Sequence, residues 1–536
     1  MKNLFLSIVV VLFGFSFVAF HKYRKDDLQA RMVSLVKIFQ TSQVKESINP
    51  IEKATINAFF EKYTDFNEQQ SDVLAIYKKR NYATIWYNKK DRIALADLLY
   101  SKVNELEDEG VNSNLPYAPI IDRIFNTHNQ KKLLQTDTEI LLTNMYVFYV
   151  KKVFHGISVS KTNEIGWFLP RKNVLYEHFL DSLLTDSSLL SNNENLLLSQ
   201  YYKLREALKK YRAIEQNGDW TPIDIDPTVD YYKHNDSAKA IGQIRHRLAT
   251  MGDLKRDSGS NLYDEELMVG VMSFKKRNGY KTNKILSTWQ VQRMNTPIKK
   301  YIRTIKVNME RCRWIDPTLT RVSEYIVINI PAFKLTYSKN GKKELESNLL
   351  VGKNKTETVV FSGSISSIVF SPYWNVPRSI IENELKQAIF QDENYLESHG
   401  MEWNDGNIRQ RPGHKNPMGL VKFMFPNSNA IYLHDTPYKS LFEFDYRAFS
   451  HGCINMDKAK ELAILILKED TNWPLDVINE AMKGEKQTIH VLTNEIPIHI
   501  GYFTAWVDDI GKINFYNDLY QRDDHLADLL FSKDSE

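Results

Sequence analysis

Cysteine is scarce in this sequence: 536 residues contain two, Cys312 and Cys453. Two thiols exclude a disulfide framework and a four-thiolate zinc cluster. Three readings remain open: inert core thiols, one long-range disulfide, or a single reactive thiol. An excess of charge of one sign is also lacking. Lys and Arg number 70 against 66 Asp and Glu, a formal charge of +4, too balanced for a nucleic-acid binder that needs a basic face. No fixed-period repeat or long low-complexity tract stands out. What is present is a folding composition, 43% hydrophobic and 25% charged, over a length that calls for roughly two to four domains.

Residues 4–20 carry no charge, and they lie between Lys2 and the basic stretch His21, Lys22, Arg24 and Lys25. Such a run reads as a signal peptide or a short membrane anchor. Phe17, Val18 and Phe20 are large where a cleavage site wants small residues, which favours an uncleaved signal anchor. Positive charges on both sides leave the orientation undecided. The expectation is a cell-envelope protein held at the periplasmic face of the inner membrane.

From residue 27 to 216 the chain is helical in character, with few glycines. Residues 94–109 repeat apolar side chains at helical spacing up to Gly110. Asn217-Gly218-Asp219, with Pro222 and Pro227, reads as a turn cluster. Residues 236–297 suggest three short helices, with stops at Gly252 and Asn278-Gly279. From Glu324 the pattern turns to strands, interrupted by a helical insertion over residues 380–400. A helix is expected over 457–467, with Asp457 as a possible cap.

The chemistry gathers at Phe449-Ser-His-Gly-Cys-Ile-Asn455, placed just before that helix, with His434 nineteen residues upstream of Cys453. A thiol becomes a nucleophile when an imidazolium or helix-terminal amides stabilise its thiolate. His434 suits a general base or ion-pair partner, with Asp435 or a backbone carbonyl fixing its tautomer. Gly452 lets backbone approach a substrate, and the amides of Gly452 and Cys453 suit an oxyanion. Two competing readings are a zinc site from His434, His451 and Cys453, which lacks a close-spaced ligand pair, and a Cys312–Cys453 disulfide. Trp374 and Trp403 read as packing residues.

At these residues the sequence resembles the catalytic domain of the bacterial cysteine L,D-transpeptidases. The motif of a histidine, then Ser/Thr-His-Gly-Cys-hydrophobic-Asn/Arg, appears as His434, Ser450, His451, Gly452, Cys453, Ile454 and Asn455. Supporting runs are Arg409-Gln-Arg-Pro-Gly413, Asn416-Pro-Met-Gly419, Lys422-Phe-Met-Phe-Pro426 and Arg447-Ala-Phe-Ser450. Residues 236–297 are similar to the peptidoglycan-binding module of the large members, with Thr282-Asn-Lys284 in place of the usual Asp-Gly. Cys312 stands where an aromatic is common.

The resemblance implies a multi-domain α+β chain: signal anchor 1–25, helical scaffold 26–230, three-helix module 231–300 and scaffold return 301–321. A mostly β catalytic domain follows over 322–494, with a helical cap near 380–408, and then a C-terminal extension over 495–536. It further implies Cys453 as nucleophile, His434 as base, and His451 and Gly452 in the catalytic pocket. Tyr432, Ser450, Asn455 and Arg447 are then expected at the substrate. The implied partners are donor and acceptor peptidoglycan stem peptides, carbapenem-type inhibitors and, through the anchor, a membrane, with no nucleic acid, no metal and no cofactor. The implied reaction is cross-linking of two stem-peptide diamino acids with release of D-alanine. An L,D-carboxypeptidase, a protein-to-peptidoglycan ligase and a non-catalytic wall-binding scaffold stand as alternatives.

Overall fold

The structure is a computed structural model, described here over residues 50–88, 91–126, 134–172, 174–192 and 196–531. The apolar run of residues 4–20 lies outside these residues. Among the described residues no helix is long and apolar enough to cross a membrane.

The chain divides into two units, one comprising residues 1–93 and 129–142 and the other the remainder. The first is mostly helical where described, with one short antiparallel pair, Tyr87–Asn88 with Asp91–Arg92. Helices Lys53–Lys62 and Gln70–Lys79 bury Ile56, Phe59, Phe60, Val73 and Ile76 on one face, as their apolar spacing dictates. Glu139 is buried there, accepting the amides of Ile85 and Trp86. Burial lifts its carboxyl to about 7, against the pull of those amides.

In the second unit, α1 (Ser199–Asn217) ends at Gly218 and is the last long helix before the turn cluster. The three-helix module follows as α2 (Lys239–Met251), α3 (Glu265–Arg277) and α4 (Thr288–Met294). Asp264 caps α3 through the Leu267 amide, and Ile241, Leu248, Leu267 and Val271 fill the core between the helices. In the departing turn Thr282-Asn-Lys284, Asn283 accepts from Lys275 Nζ and from the Ile285 amide. Helix α5 (Ile298–Trp314) packs on α1 and buries Ile305, Met309, Cys312 and Trp314.

The β region is one sheet of β1 (Glu324–Asn329), β2 (Lys334–Lys339), β3 (Lys342–Gly352), β4 (Val360–Phe370), β8 (Val421–Met424), β9 (Leu433–His434), β10 (Ala448–Ser450), β11 (Ile454–Met456) and β12 (Thr488–Gly501). Its order is β8-β9-β11-β3-β2-β1-β12-β4, with the two-residue strand Trp167–Phe168 added parallel to the start of β4, and β4 also pairs β8, so the path closes on itself. Closure removes the unpaired edges that an open sheet of this size would leave. Ile326, Ile328, Leu335, Ile365, Phe423 and Ile498 point inward from alternate positions and form its core. Strand β12 crosses the boundary expected at residue 494, because the sheet needs it between β1 and β4.

The insertion contains more than helices. Between β5 (Trp374–Asn375) and the hairpin β6 (Met401–Asn404) and β7 (Asn407–Gln410) run short helical segments over residues 378–398. The three strands pair in the order β5-β7-β6, and Val376, Leu385, Met401 and Ile408 give the lobe its own small core. The hairpin closes at Asp405-Gly406, a pair whose conformational freedom suits a two-residue turn. Trp374 packs on that core, whereas Trp403 is 63% exposed, so burial does not account for it.

Candidate active site

Two short strands bring the candidate residues together. Strands β9 and β11 run parallel, with Leu433 opposite Ile454 and His434 opposite Asn455. Tyr432 and Cys453, one residue before those pairs, are level with each other, and the Ile454 amide donates to the Tyr432 carbonyl at 2.9 Å. Side chains two apart share a face of a sheet, so Cys453, Asn455, Tyr432 and His434 belong to one face.

His434 is 3% exposed and its tautomer is fixed by the backbone. Nδ1 donates to the Asp435 carbonyl at 2.6 Å, which leaves Nε2 as the acceptor, with Asn455 Nδ2 donating to it at 3.4 Å. Burial drives the ring down to about 4, with the Asp435 carbonyl pulling the other way. At neutral pH the imidazole is therefore uncharged. The Asp435 carboxylate accepts the Leu420 amide at 2.9 Å and Lys439 Nζ at 2.7 Å. That arrangement begins at Asn416, which takes the Met418 amide and donates to the Pro372 carbonyl, turning the chain at Gly419 (φ +64°). A Cβ at Gly419 would collide with Asp435.

Cys453 is half-buried and free, and its Sγ approaches the Ala430 carbonyl at 3.8 Å. Burial pushes its thiol up, while the Tyr432 backbone and the Lys422 ammonium act against that rise. The preceding loop is pinned from both sides. Ser450 Oγ donates to the Cys453 carbonyl at 2.5 Å and receives the Gly452 amide at 3.2 Å. Gly452 has φ +109°, which only glycine adopts freely, and its carbonyl accepts Thr358 Oγ1 at 2.9 Å. Thr358 Oγ1 also receives the Gly352 amide, and Tyr520 bridges the Gly352 carbonyl and the Thr358 amide.

Three expectations need correction. Cys453 is followed by strand β11 and not by a helix; α6 (Ala459–Leu467) starts later, so helix-terminal amides do not stand at the thiol. Asp457 does not cap α6, whose N-cap is Lys458 without a side-chain bond. Arg447, expected at the substrate, is 5% exposed, donates to the Phe444 carbonyl and lies over the Phe333 ring, so it is a packing residue. The competing Cys312–Cys453 disulfide is excluded: both thiols are free and Cys312 is fully buried in α5, as a core residue. His451 is exposed, with Nε2 4.0 Å from Glu384 of the insertion. Among the described residues no group of three or more His, Cys, Asp and Glu side chains is arranged to hold a metal ion.

Comparison with known proteins matches two parts of the chain to known domain families. Residues 323–478 match the L,D-transpeptidase catalytic domain family, and residues 71–208 match a scaffold domain family. The chain carries an L,D-transpeptidase catalytic domain. A Haemophilus influenzae protein provisionally assigned as an L,D-transpeptidase is 34% identical over 219 residues, covering 37% of this chain and 44% of the relative. The chain thus spans less than half the length of that relative. Among solved structures, an L,D-transpeptidase from Mycobacterium smegmatis aligns at 15% identity and TM-score 0.20, over 33% of this chain and 58% of its own. L,D-transpeptidase 1 of Mycobacterium tuberculosis aligns at 16% identity and TM-score 0.18, over 33% and 61%.

Three residues around the site were given no role there by the sequence reading. Lys422 on β8 is opposite His434 in the β8–β9 register, and its Nζ lies 3.5 Å from the centroid of the Tyr432 ring. A charged residue inside an apolar strand was the available signal. Thr358 holds the Gly452 carbonyl of the nucleophile loop from 94 residues away, and Tyr520 holds Gly352, 168 residues from itself, which in turn meets Thr358; no local pattern gives either residue this bracing role.

Proposed function

We propose that this protein is a peptidoglycan L,D-transpeptidase that joins two stem-peptide diamino acids through a thioester on Cys453. The observation that carries the reading is a half-buried, free thiol at the start of β11, beside the strand that bears a neutral, tautomer-fixed His434. In the first step the thiol proton passes to His434 Nε2, and Sγ attacks the carbonyl of the diamino acid in a tetrapeptide donor. The C–N bond to the terminal D-alanine breaks, and the departing amine takes the proton from His434. In the second step the side-chain amine of an acceptor stem attacks the thioester carbonyl. The C–S bond breaks and a proton returns to sulfur. Ping-pong kinetics follow from the covalent intermediate.

The free donor for a developing oxyanion on this reading is the Cys453 amide, since the Gly452 amide is engaged by Ser450. The insertion, reaching His451 through Glu384, serves as a cap that keeps water from the thioester. On this reading a carbapenem would acylate Cys453; a solved L,D-transpeptidase is described in complex with imipenem. The apolar run of residues 4–20 supports a place in the cell envelope, with the catalytic domain outside the cytoplasm. In a reconstituted assay with disaccharide-tetrapeptide, Cys453→Ala should form no cross-linked dimer. Undiminished cross-linking by that variant would remove the reading.

A further inference from the structure

The neutral state of His434 leaves the nucleophile without the imidazolium that usually faces a reactive thiol. The groups near Cys453 can be named element by element. Strand β9 and the residue before it offer His434, buried and uncharged, and the Tyr432 ring. The adjoining loop offers His451, exposed and directed to Glu384. Asp435 is occupied by Lys439 and the Leu420 amide. Strand β8 offers Lys422.

Lys422 is opposite His434 in the antiparallel β8–β9 register, and His434 is opposite Asn455 in the parallel β9–β11 register. The three side chains therefore emerge on one face of the sheet. Its Nζ lies 3.5 Å from the centroid of the Tyr432 ring, so the ammonium meets a side chain rooted at the level of Tyr432, two residues before its own register partner His434. That is the level of Cys453, because Leu433 pairs with Ile454. Burial pushes the Lys422 pKa down while charge at Cys453 holds it up, and the Lys422 charge in turn works against the rise of the Cys453 thiol.

We infer that the Lys422 ammonium is the positive charge that stabilises the Cys453 thiolate, with the Tyr432 ring steering it there. Lys422 is thus a positioning and electrostatic residue for the nucleophile, while His434 moves the proton. A lysine suits this task better than a buried imidazole, since it keeps its charge at neutral pH unless fully desolvated. The inference rests on Cys453 being the nucleophile of the proposed reaction, but its test does not need turnover.

The test is iodoacetamide alkylation of the full chain between about pH 5 and about pH 10, with peptide mass spectrometry separating Cys453 from buried Cys312. Lys422→Met should move the alkylation midpoint of Cys453 upward by about one unit or more, as expected for loss of an adjacent opposite charge. Lys422→Arg should restore most of the shift. A Lys422→Met midpoint equal to that of the unmodified protein overturns the inference. Should circular dichroism show Lys422→Met unfolded, His434→Gln carries the test. A midpoint that stays in place supports Lys422 as the charge, and a rise of about one unit assigns it to His434 and overturns the inference. Loss of cross-linking activity as a whole would be read separately, with Cys453→Ala, and would leave the titration result standing.

Discussion

His434 Nδ1 donates to the backbone carbonyl of Asp435, at 2.6 Å, while the carboxylate of that same residue turns away to Leu420 and Lys439. The orienting group of the imidazole is therefore main chain, and the acidic side chain is a structural brace. Asp435→Asn keeps the carbonyl and one acceptor for the Leu420 amide. It should change kcat by less than about threefold, equivalent to about 0.7 kcal/mol. Stability should fall by about 1 kcal/mol, because the Lys439 partner is half-exposed. Steady-state kinetics and urea melts check both.

Thr358 is the second brace. Its hydroxyl donates to the Gly452 carbonyl and receives the Gly352 amide, and it is fully buried. Thr358→Val preserves shape and strands both groups, which should cost about 1–3 kcal/mol. Because Gly452 adjoins the nucleophile, kcat should fall more than KM rises. Equal stability in urea would count against the clasp.

How much of this was legible beforehand divides along physical lines. Cys453 and His434 announced themselves because a polar, glycine-bearing setting is unusual for a core thiol. The strand after Cys453 did not, since Ile454–Met456 is too short to show a period and the helix behind it dominated the pattern. Lys422 showed only as a charge inside an apolar strand; its place beside the site is set by strand register, which no local pattern encodes. Arg447 looked like a ligand for a carboxylate, yet its backbone carbonyl pairs with Val351 and draws the side chain inside. The lobe read as helix because its strands are four residues or fewer.

Acid stability should carry the signature of His434. Its folded value, about 4, lies below the ordinary 6.5, so the unfolded chain takes up the proton first as pH falls. The stability from this group is complete above about pH 6.5 and is lost as pH falls toward about 4, an amount on the order of 3 kcal/mol. Glu139, raised to about 7, acts with the opposite sign across much of that window. Comparing His434→Gln with the unmodified protein isolates the histidine. Urea melts at neutral and acid pH should show a shallower loss for the variant, and parallel losses would contradict the assignment.

The lobe between β5 and β7 should govern the fate of the thioester. Replacing residues 378–400 by a short Gly-Ser linker removes Glu384, the partner of His451. The ratio of hydrolysed tripeptide to cross-linked dimer should rise severalfold, by about 1 kcal/mol of lost discrimination against water. Chromatography of the products reads the ratio, and an unchanged value would sink the cap role.

The central claim is a covalent acyl group on one named sulfur. Intact-mass and peptide mass spectrometry of the protein incubated with disaccharide-tetrapeptide tests it directly. The account predicts an adduct of the donor less its terminal alanine, on Cys453 alone, lost again when an acceptor amine is added. An active preparation with no adduct on Cys453, or an adduct on another residue, would contradict it.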